Sequence, residues 1–321
     1  MKKYLVITLI TLLAIGSGIA ITYQARSTTS ESETQKLDVG VSYYILEELA
    51  QQIGKEHVTV TSIVKPGIEI HDFEPTARDT AALYDTSLFL YHGAGLDAWA
   101  EKLAPQLAEQ NIQTVEVTKT MTLRDTSEAL HIGHEEDSEE EHEEGPKDPH
   151  TWLDPILLQQ EVAIVRDAFI AADPAHAAEY RSNADAYIKT LEELDAEYRT
   201  TLTQCATPEI IVAHDAFSYL GARYGITVHS IAGISSESEP SASHLADLAT
   251  LAKEKNIRTI FFETLTSPKL SQAIAQEVGA QSTVLNPIEG LTPEQKDTGT
   301  TYADIMRENL QNLSAAMSCA N

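Results

Sequence analysis

The chain has 321 residues, 42% of them hydrophobic, and a formal net charge of -27 from 22 basic and 49 acidic residues. That length accommodates two domains of ordinary size, and that apolar content supplies packed cores. So acidic a chain makes nucleic acid and anionic lipid poor partners and favours cations.

Lys2 and Lys3 precede an apolar run from Tyr4 to about Tyr23, the pattern of an export signal (1–23). Gly18-Ile19-Ala20 offers a small-residue cleavage site, while the length of the run also suits an uncleaved membrane anchor. Both readings stand, and both place the rest of the chain outside the cytoplasm, in a periplasm or at a cell surface. No Cys follows the run to carry a lipid. Residues 24–36 read as a polar tether.

From Leu37, short β-rich runs alternate with helical stretches. Strands are predicted at 37–42, 57–64, 86–91 and 113–117, and helices at 43–54, 77–84 and 97–109. A second series follows, with strands at 209–213, 226–232, 258–263 and 282–286 and helices at 215–224, 242–255, 268–279 and 300–317. Two such series predict an α/β fold of two lobes, each a mostly parallel sheet flanked by helices.

Between them, residues 174–203 contain no Gly and no internal Pro. Tyr180, Ala184, Tyr187, Leu191, Leu194 and Tyr198 recur at steps of three and four. That periodicity predicts one long amphipathic helix of about eight turns, started by Asp173-Pro174. The predicted partition is an N-terminal lobe at 37–172, a linking helix at 173–204 and a C-terminal lobe at 205–321. Within the first lobe, residues 131–145 hold eight acidic residues and three histidines, His131, His134 and His142. This reads as a surface loop that binds cations weakly.

Of eleven histidines, His57, His92, His176, His229 and His244 fit ordinary positions at strand ends and helix surfaces. His71, His150 and His214 differ. Each follows a predicted strand or loop and opens a helical stretch, where α/β lobes present their ligand crevice. His71 lies in Pro66-Gly67-Ile68-Glu69-Ile70-His71-Asp72-Phe73-Glu74-Pro75. His150 lies in Asp148-Pro149-His150-Thr151-Trp152-Leu153-Asp154-Pro155. His214 lies in Ala213-His214-Asp215-Ala216-Phe217.

These boxes resemble the cluster A-I solute-binding proteins of zinc and manganese ABC importers, over about residues 37–318. Glu239-Pro240-Ser241, Phe262-Glu263 with Ser267-Pro268, Leu285-Asn286-Pro287-Ile288-Glu289, and Tyr302, Met306 and Asn309 extend the likeness. The resemblance implies two four-stranded lobes joined by one long rigid helix. It implies one metal between them, held by His71, His150, His214 and a fourth ligand. The likeness to zinc-type relatives with an Asn-Pro-Leu-Glu loop makes Glu289 the choice for fourth ligand, the alternative being a surface carboxylate with water completing the site, and Glu263 is a competitor better placed to support the site. Asp72, Asp154 and Asp215 adjoin these boxes as candidates to orient an imidazole, and Asp154 equally suits a helix cap before Pro155.

Three imidazoles and one carboxylate favour Zn²⁺ over Mn²⁺. The function implied is capture of zinc for an ABC permease by a monomer, with membrane association through the N-terminal segment. A metalloenzyme is disfavoured, because a fourth protein ligand closes the position that a catalytic zinc keeps open. An adhesin role, attributed to some members of the family, is an additional reading. Cys205 and Cys319 are the two cysteines, and an exported chain permits them to pair and tie the tail to the second lobe.

Overall fold

The computed structural model describes residues 36–126, 147–236 and 238–320. The predicted signal or anchor, the tether up to residue 35, and the loop 131–145 with His131, His134 and His142 lie outside the described residues. Among the described residues, no helix is long and apolar enough to cross a membrane.

The N-terminal lobe runs β1 (Leu37–Val41), α1 (Tyr44–Gly54), β2 (Val58–Ser62), α2 (Ala77–Leu83), β3 (Leu88–Tyr91), α3 (Ala98–Glu109) and β4 (Gln113–Glu116). Its sheet order is β2-β1-β3-β4 and every pairing is parallel, with Val39 opposite both Val60 and Leu88. The Leu-Phe-Leu-Tyr run of β3 is buried on both faces, as a central strand covered by helices requires. Edge strand β4 is the polar Gln-Thr-Val-Glu.

The C-terminal lobe repeats the plan. β5 (Glu209–Val212), α6 (Ser218–Tyr224), β6 (Thr227–Ser230), α7 (Ala242–Glu254), β7 (Thr259–Phe262), α8 (Lys269–Val278), β8 (Gln281–Val284), α9 (Pro293–Thr298) and α10 (Tyr302–Met317) complete the chain, with α4 and α5 falling between the lobes. The sheet order is β6-β5-β7-β8, again all parallel. In each sheet the strand order reverses beside the first strand, which opens a crevice at the carboxyl ends of the strands.

The connection between the lobes differs from the prediction. An 18-residue helix, α4 (Pro155–Ala172), precedes the strut, and the strut proper is α5 (Ala177–Thr201), with a short 3-10 turn at Pro174–His176. Asp173 makes the corner, accepting from His176 Nδ1 at 2.6 Å and from Tyr180 OH at 2.7 Å. α4 escapes a periodicity search because its sequence, PILLQQEVAIVRDAFIAA, is apolar around much of its circumference. Its start is nonetheless written in Asp154-Pro155. The Asp154 carboxylate accepts from Ile156 N and Leu157 N, and Pro155 takes the first helical position. On α5 the six residues picked out by periodicity are the six that are buried. They join one apolar cluster that runs from the N-terminal sheet through α4 and α5 to α10, and each large side chain buried there stabilises by roughly 1.5–3 kcal/mol.

Further ties cross between the two sheets' segments. Tyr198 OH on α5 donates to Met306 O on α10, and Asn183 Nδ2 on α5 donates to Ile53 O at the end of α1. Gly67 N, after β2, donates to Leu291 O, after β8, at 2.7 Å. Lys296 on α9 pairs with Glu47 on α1 at 2.5 Å. Cys205 and Cys319 are joined by a disulfide that fastens the end of α10 to the start of the second lobe.

Candidate metal centre

Four loops bring donors to the crevice. His71 sits in the loop from β2 to α2, whose far end is fixed by the Thr76–Asp79 capping box. His150 stands just before a 3-10 turn at Thr151–Leu153 that leads into α4. His214 lies two residues beyond β5, and Glu289 lies in the loop between β8 and α9, which the Thr292–Gln295 capping box ends.

The structure brings these four together. One ligand atom from each lies within 4.8 Å of the others. His150 Nε2 is 3.2 Å from His71 Nε2 and 3.3 Å from His214 Nε2. Glu289 Oε1 is 3.3, 3.2 and 3.1 Å from the Nε2 atoms of His71, His150 and His214. Two ligand atoms on a tetrahedral zinc, each at ~2.0–2.1 Å, stand about 3.3 Å apart. The donors are therefore spaced as a single small tetrahedral cation demands. His150 and His214 are fully buried, and the side chains of His71 and Glu289 are 6% and 2% exposed.

The tautomers are set from behind. His150 Nδ1–H donates to Asp148 Oδ1 at 2.7 Å, and His214 Nδ1–H donates to Glu263 Oε1 at 2.6 Å. Each Nε2 lone pair then faces the crevice, the arrangement that metal-binding histidines use. Asp148 also accepts from Ser218 Oγ and from the His150 backbone N–H. Glu263 thus stands behind His214, outside the cluster of four donors. The carboxylates that orient the imidazoles are Asp148 and Glu263, not Asp72, Asp154 or Asp215. Asp154 caps α4 and pairs with Arg223, Asp72 is exposed, and burial together with the charge of Asp148 pushes Asp215 up to about 6.

The electrostatics follow from this packing. Burial opposes charge on His214, yet the carboxylates of Glu263 and Glu289 outweigh it and hold the imidazole well above its usual range. Burial likewise opposes charge on His150, and Asp148 and Glu289 raise it. Burial would raise Glu289, but His214 and the hydrogen bonds from His150, His214 and His71 hold it well below the carboxylate range. A divalent cation at the Nε2 atoms of His150 and His214 would therefore compete with a proton there.

The Glu289 loop is unusually constrained. Ile288 adopts φ 60°, a left-handed backbone that costs a β-branched residue about 1–3 kcal/mol. The strain is held by three contacts. Asn286 Oδ1 accepts from Ile288 N at 2.8 Å, Trp152 Nε1 donates to Pro287 O at 2.7 Å, and Asn309 grips both backbone atoms of Asn286 at 2.8 and 2.7 Å. Ile288 itself is fully buried.

A family model described as "Zinc-uptake complex component A periplasmic", ZnuA, matches residues 39–316. The chain belongs to the ZnuA family. It is 37% identical over 294 residues to the "High-affinity zinc uptake system protein ZnuA" of Bacillus subtilis, covering 89% of each chain. It is 33% identical over 282 residues to the "Zinc-binding lipoprotein AdcA" of Streptococcus pneumoniae, covering 87% of this chain but only 55% of that longer protein. Among solved structures, the Zn(II)-bound ZnuA-like domain of Streptococcus pneumoniae AdcA superposes with a TM-score of 0.74 at 31% identity, covering 88% of this chain and 99% of that one. The laminin binding protein Lmb of Streptococcus agalactiae superposes with a TM-score of 0.77 at 32% identity over the same shares. The two-lobe α/β fold with parallel four-stranded sheets is that of the ZnuA family.

The remaining described histidines lie away from the four donors. His57 and His176 stack on each other at 4.0 Å, His229 pairs with Glu209, and His244 Nε2 bonds Ser230 O. His92 is the exception among those set aside. It is fully buried and its ring meets Trp152 edge-on at 5.1 Å. Nothing in its local sequence, Leu-Tyr-His-Gly-Ala-Gly, marks it, because its partners come from elsewhere in the chain.

Proposed function

We propose that this ZnuA-family chain captures Zn²⁺ as cargo through His71, His150, His214 and Glu289 and delivers it to an ABC import permease outside the cytoplasm. The observation that carries the reading is the buried cluster itself, three Nε2 atoms around one carboxylate oxygen at 3.1–3.3 Å. Neutral imidazole suits zinc, whereas manganese favours more oxygen. A fourth protein ligand leaves no open coordination position, which favours binding and release over catalysis. The names of the B. subtilis and S. pneumoniae relatives support zinc, and the family description supports a periplasmic or equivalent location and a transport partner. In this reading 37–172 and 205–321 are the lobes and 173–204 the strut. The chain works as a monomer, tethered or released at 1–36, and 131–145 contributes weaker zinc sites through His131, His134 and His142.

The test is a thermal melt of the full chain in chelator, then with one equivalent of zinc or manganese. Ligand at a hundred times its Kd stabilises the native state by about 2.7 kcal/mol. A zinc shift that disappears in His150→Ala and survives deletion of 131–145 supports the reading. A larger manganese shift overturns the metal, and no shift with either overturns the site.

A second reading is adhesion. The S. agalactiae structure is described as that of "a bifunctional protein with adhesin and metal transporting activity". Binding of this chain to laminin that persists after metal removal would support it, and no binding would dismiss it.

A further inference from the structure

Every backbone atom of His92 that can bond is held. Its N–H donates to Asp97 Oδ2 at 2.7 Å and the next N–H, of Gly93, donates to Asp97 Oδ1 at 2.8 Å. Its carbonyl accepts from Thr118 N at 3.0 Å and Thr118 Oγ1 at 2.7 Å. Gly93 has φ 86°, and a Cβ there would stand 2.6 Å from Glu116 Cγ, so the turn leaving β3 has no room for a side chain. His92 is thus a rigid post at the carboxyl end of a central strand.

From that post the imidazole reaches Pro149. His92 Nε2 is 2.7 Å from Pro149 O, and Nδ1 is 3.2 Å from Tyr43 OH. A carbonyl only accepts, so Nε2 carries the proton and Nδ1 accepts from the Tyr43 hydroxyl. Tyr43 and Trp152 pack edge-on around the ring at 5.6 and 5.1 Å.

The Pro149 carbonyl belongs to the peptide bond that enters His150. The other end of that peptide, His150 N–H, donates to Asp148 Oδ1 at 2.9 Å. Thr151 N also donates to Pro149 O, at 2.7 Å. The peptide plane ahead of the ligand is therefore gripped at its oxygen by His92 and at its nitrogen by Asp148. With the plane fixed, the His150 Cα is placed; the Thr151 N–H bond back to Pro149 O holds His150 at φ -77°, ψ 42° and so directs its Cβ, and Asp148 on Nδ1 sets the ring rotation. Asp148 lies on the same short segment as His150 and is itself held from α6, by Tyr219 OH on its carbonyl and Ser218 Oγ on its carboxylate. His92 reaches that segment from the carboxyl end of β3 in the N-terminal sheet.

We infer that His92 is a positioning residue for zinc capture: its Nε2–H anchors the Pro149–His150 peptide to the N-terminal sheet and so fixes where His150 Nε2 meets the metal. The inference rests on the zinc-binding reading above.

The test compares three full-length chains, native, His92→Leu and His92→Gln. Leu fills space without a donor, whereas the Gln amide places an N–H near where Nε2 stands. Zinc affinity is read by competition with a chromophoric chelator, the ligand-field spectrum by Co²⁺ substitution, and folding by the metal-free melting temperature. His92→Leu should bind zinc ~10–100-fold more weakly, the range for lost outer partners of metal ligands, with a changed Co²⁺ spectrum. His92→Gln should recover most of the affinity and the native spectrum. If Leu and Gln lose affinity alike, or Leu keeps native affinity and spectrum, the inference fails. If the native chain binds no zinc, the zinc-binding reading fails instead.

Discussion

Trp152 Nε1 donates to Pro287 O at 2.7 Å, joining the segment that carries His150 to the segment that carries Glu289. Tyr302 OH, from α10, in turn donates to Trp152 O at 2.7 Å. One indole thus sets the spacing between an imidazole from one lobe and a carboxylate from the other. Trp152→Phe keeps an aromatic ring in place but removes the donor and part of the buried volume. It should leave Pro287 O unpaired at a cost of about 1–3 kcal/mol, read by urea unfolding of the metal-free chain, and weaken zinc binding by ~10-fold, read by chelator competition.

Glu263 orients His214 without touching the metal position. Glu263→Leu removes the acceptor on Nδ1 and frees the ring to turn its lone pair away. Zinc affinity should fall by ~10–100-fold, while Glu263→Gln, which still offers a carbonyl, should lose less. Titration calorimetry on the two variants separates the cases.

Proton release gives a pH signature. His214 and His150 are both held above their usual range in the metal-free crevice, so zinc must displace their protons. Raising the pH removes that competition and tightens binding, and lowering it weakens binding. The logarithm of the apparent Kd should fall with pH, with a slope between about one and two at neutral pH. Calorimetry in buffers of different ionisation enthalpy counts the protons, and a slope of zero would contradict the arrangement.

Glu161 predicts a separate effect on stability. It is fully buried on α4, accepts from Thr151 Oγ1 at 2.7 Å and has no cationic partner among the groups that shift it. Burial raises it from an ordinary 4.5 to about 8. The folded state then holds a proton that the unfolded state gives up. Its contribution is fully present below about pH 4.5 and is lost as pH rises to about 8, with a slope near 1.4 kcal/mol per pH unit. Glu161→Gln should flatten that part of the stability curve, measured by denaturant melts of the metal-free chain from pH 5 to 8.

The disulfide makes the last prediction. Cys205 and Cys319 are 114 residues apart, and their disulfide fastens the end of α10 to the segment before β5. Cys205→Ala with Cys319→Ala should lower stability by about 2–4 kcal/mol and leave zinc affinity unchanged within experimental error, read by melts and chelator competition.

The strands and most helices are legible because a central parallel strand such as Leu88–Tyr91 is apolar throughout and the strut shows helical spacing. α4 is missed because its apolar residues surround the helix and leave no stripe to detect. The three histidines are legible from their boxes, and Glu289 from a resemblance rather than from any local rule. Asp148 was within reach, since it stands two residues before His150. His92 was not, because its role depends on a carbonyl 57 residues away, and a hydrogen bond to a backbone oxygen leaves no residue type to recognise. The left-handed Ile288 was equally hidden, since sequence preference argues against it.

The donors lie far apart along the chain, 79 residues from His71 to His150, 64 from there to His214 and 139 from His150 to Glu289. No stretch shorter than the span from His71 to Glu289, 218 positions apart, carries a complete set. A chain still being made, or threaded through a pore, presents its histidines without bringing these four donors together, and the cluster exists only once both sheets have formed. Ion capture is then a certificate of finished folding. A half-built molecule lacks the four-donor cluster with which to compete for the metal that its completed neighbours collect.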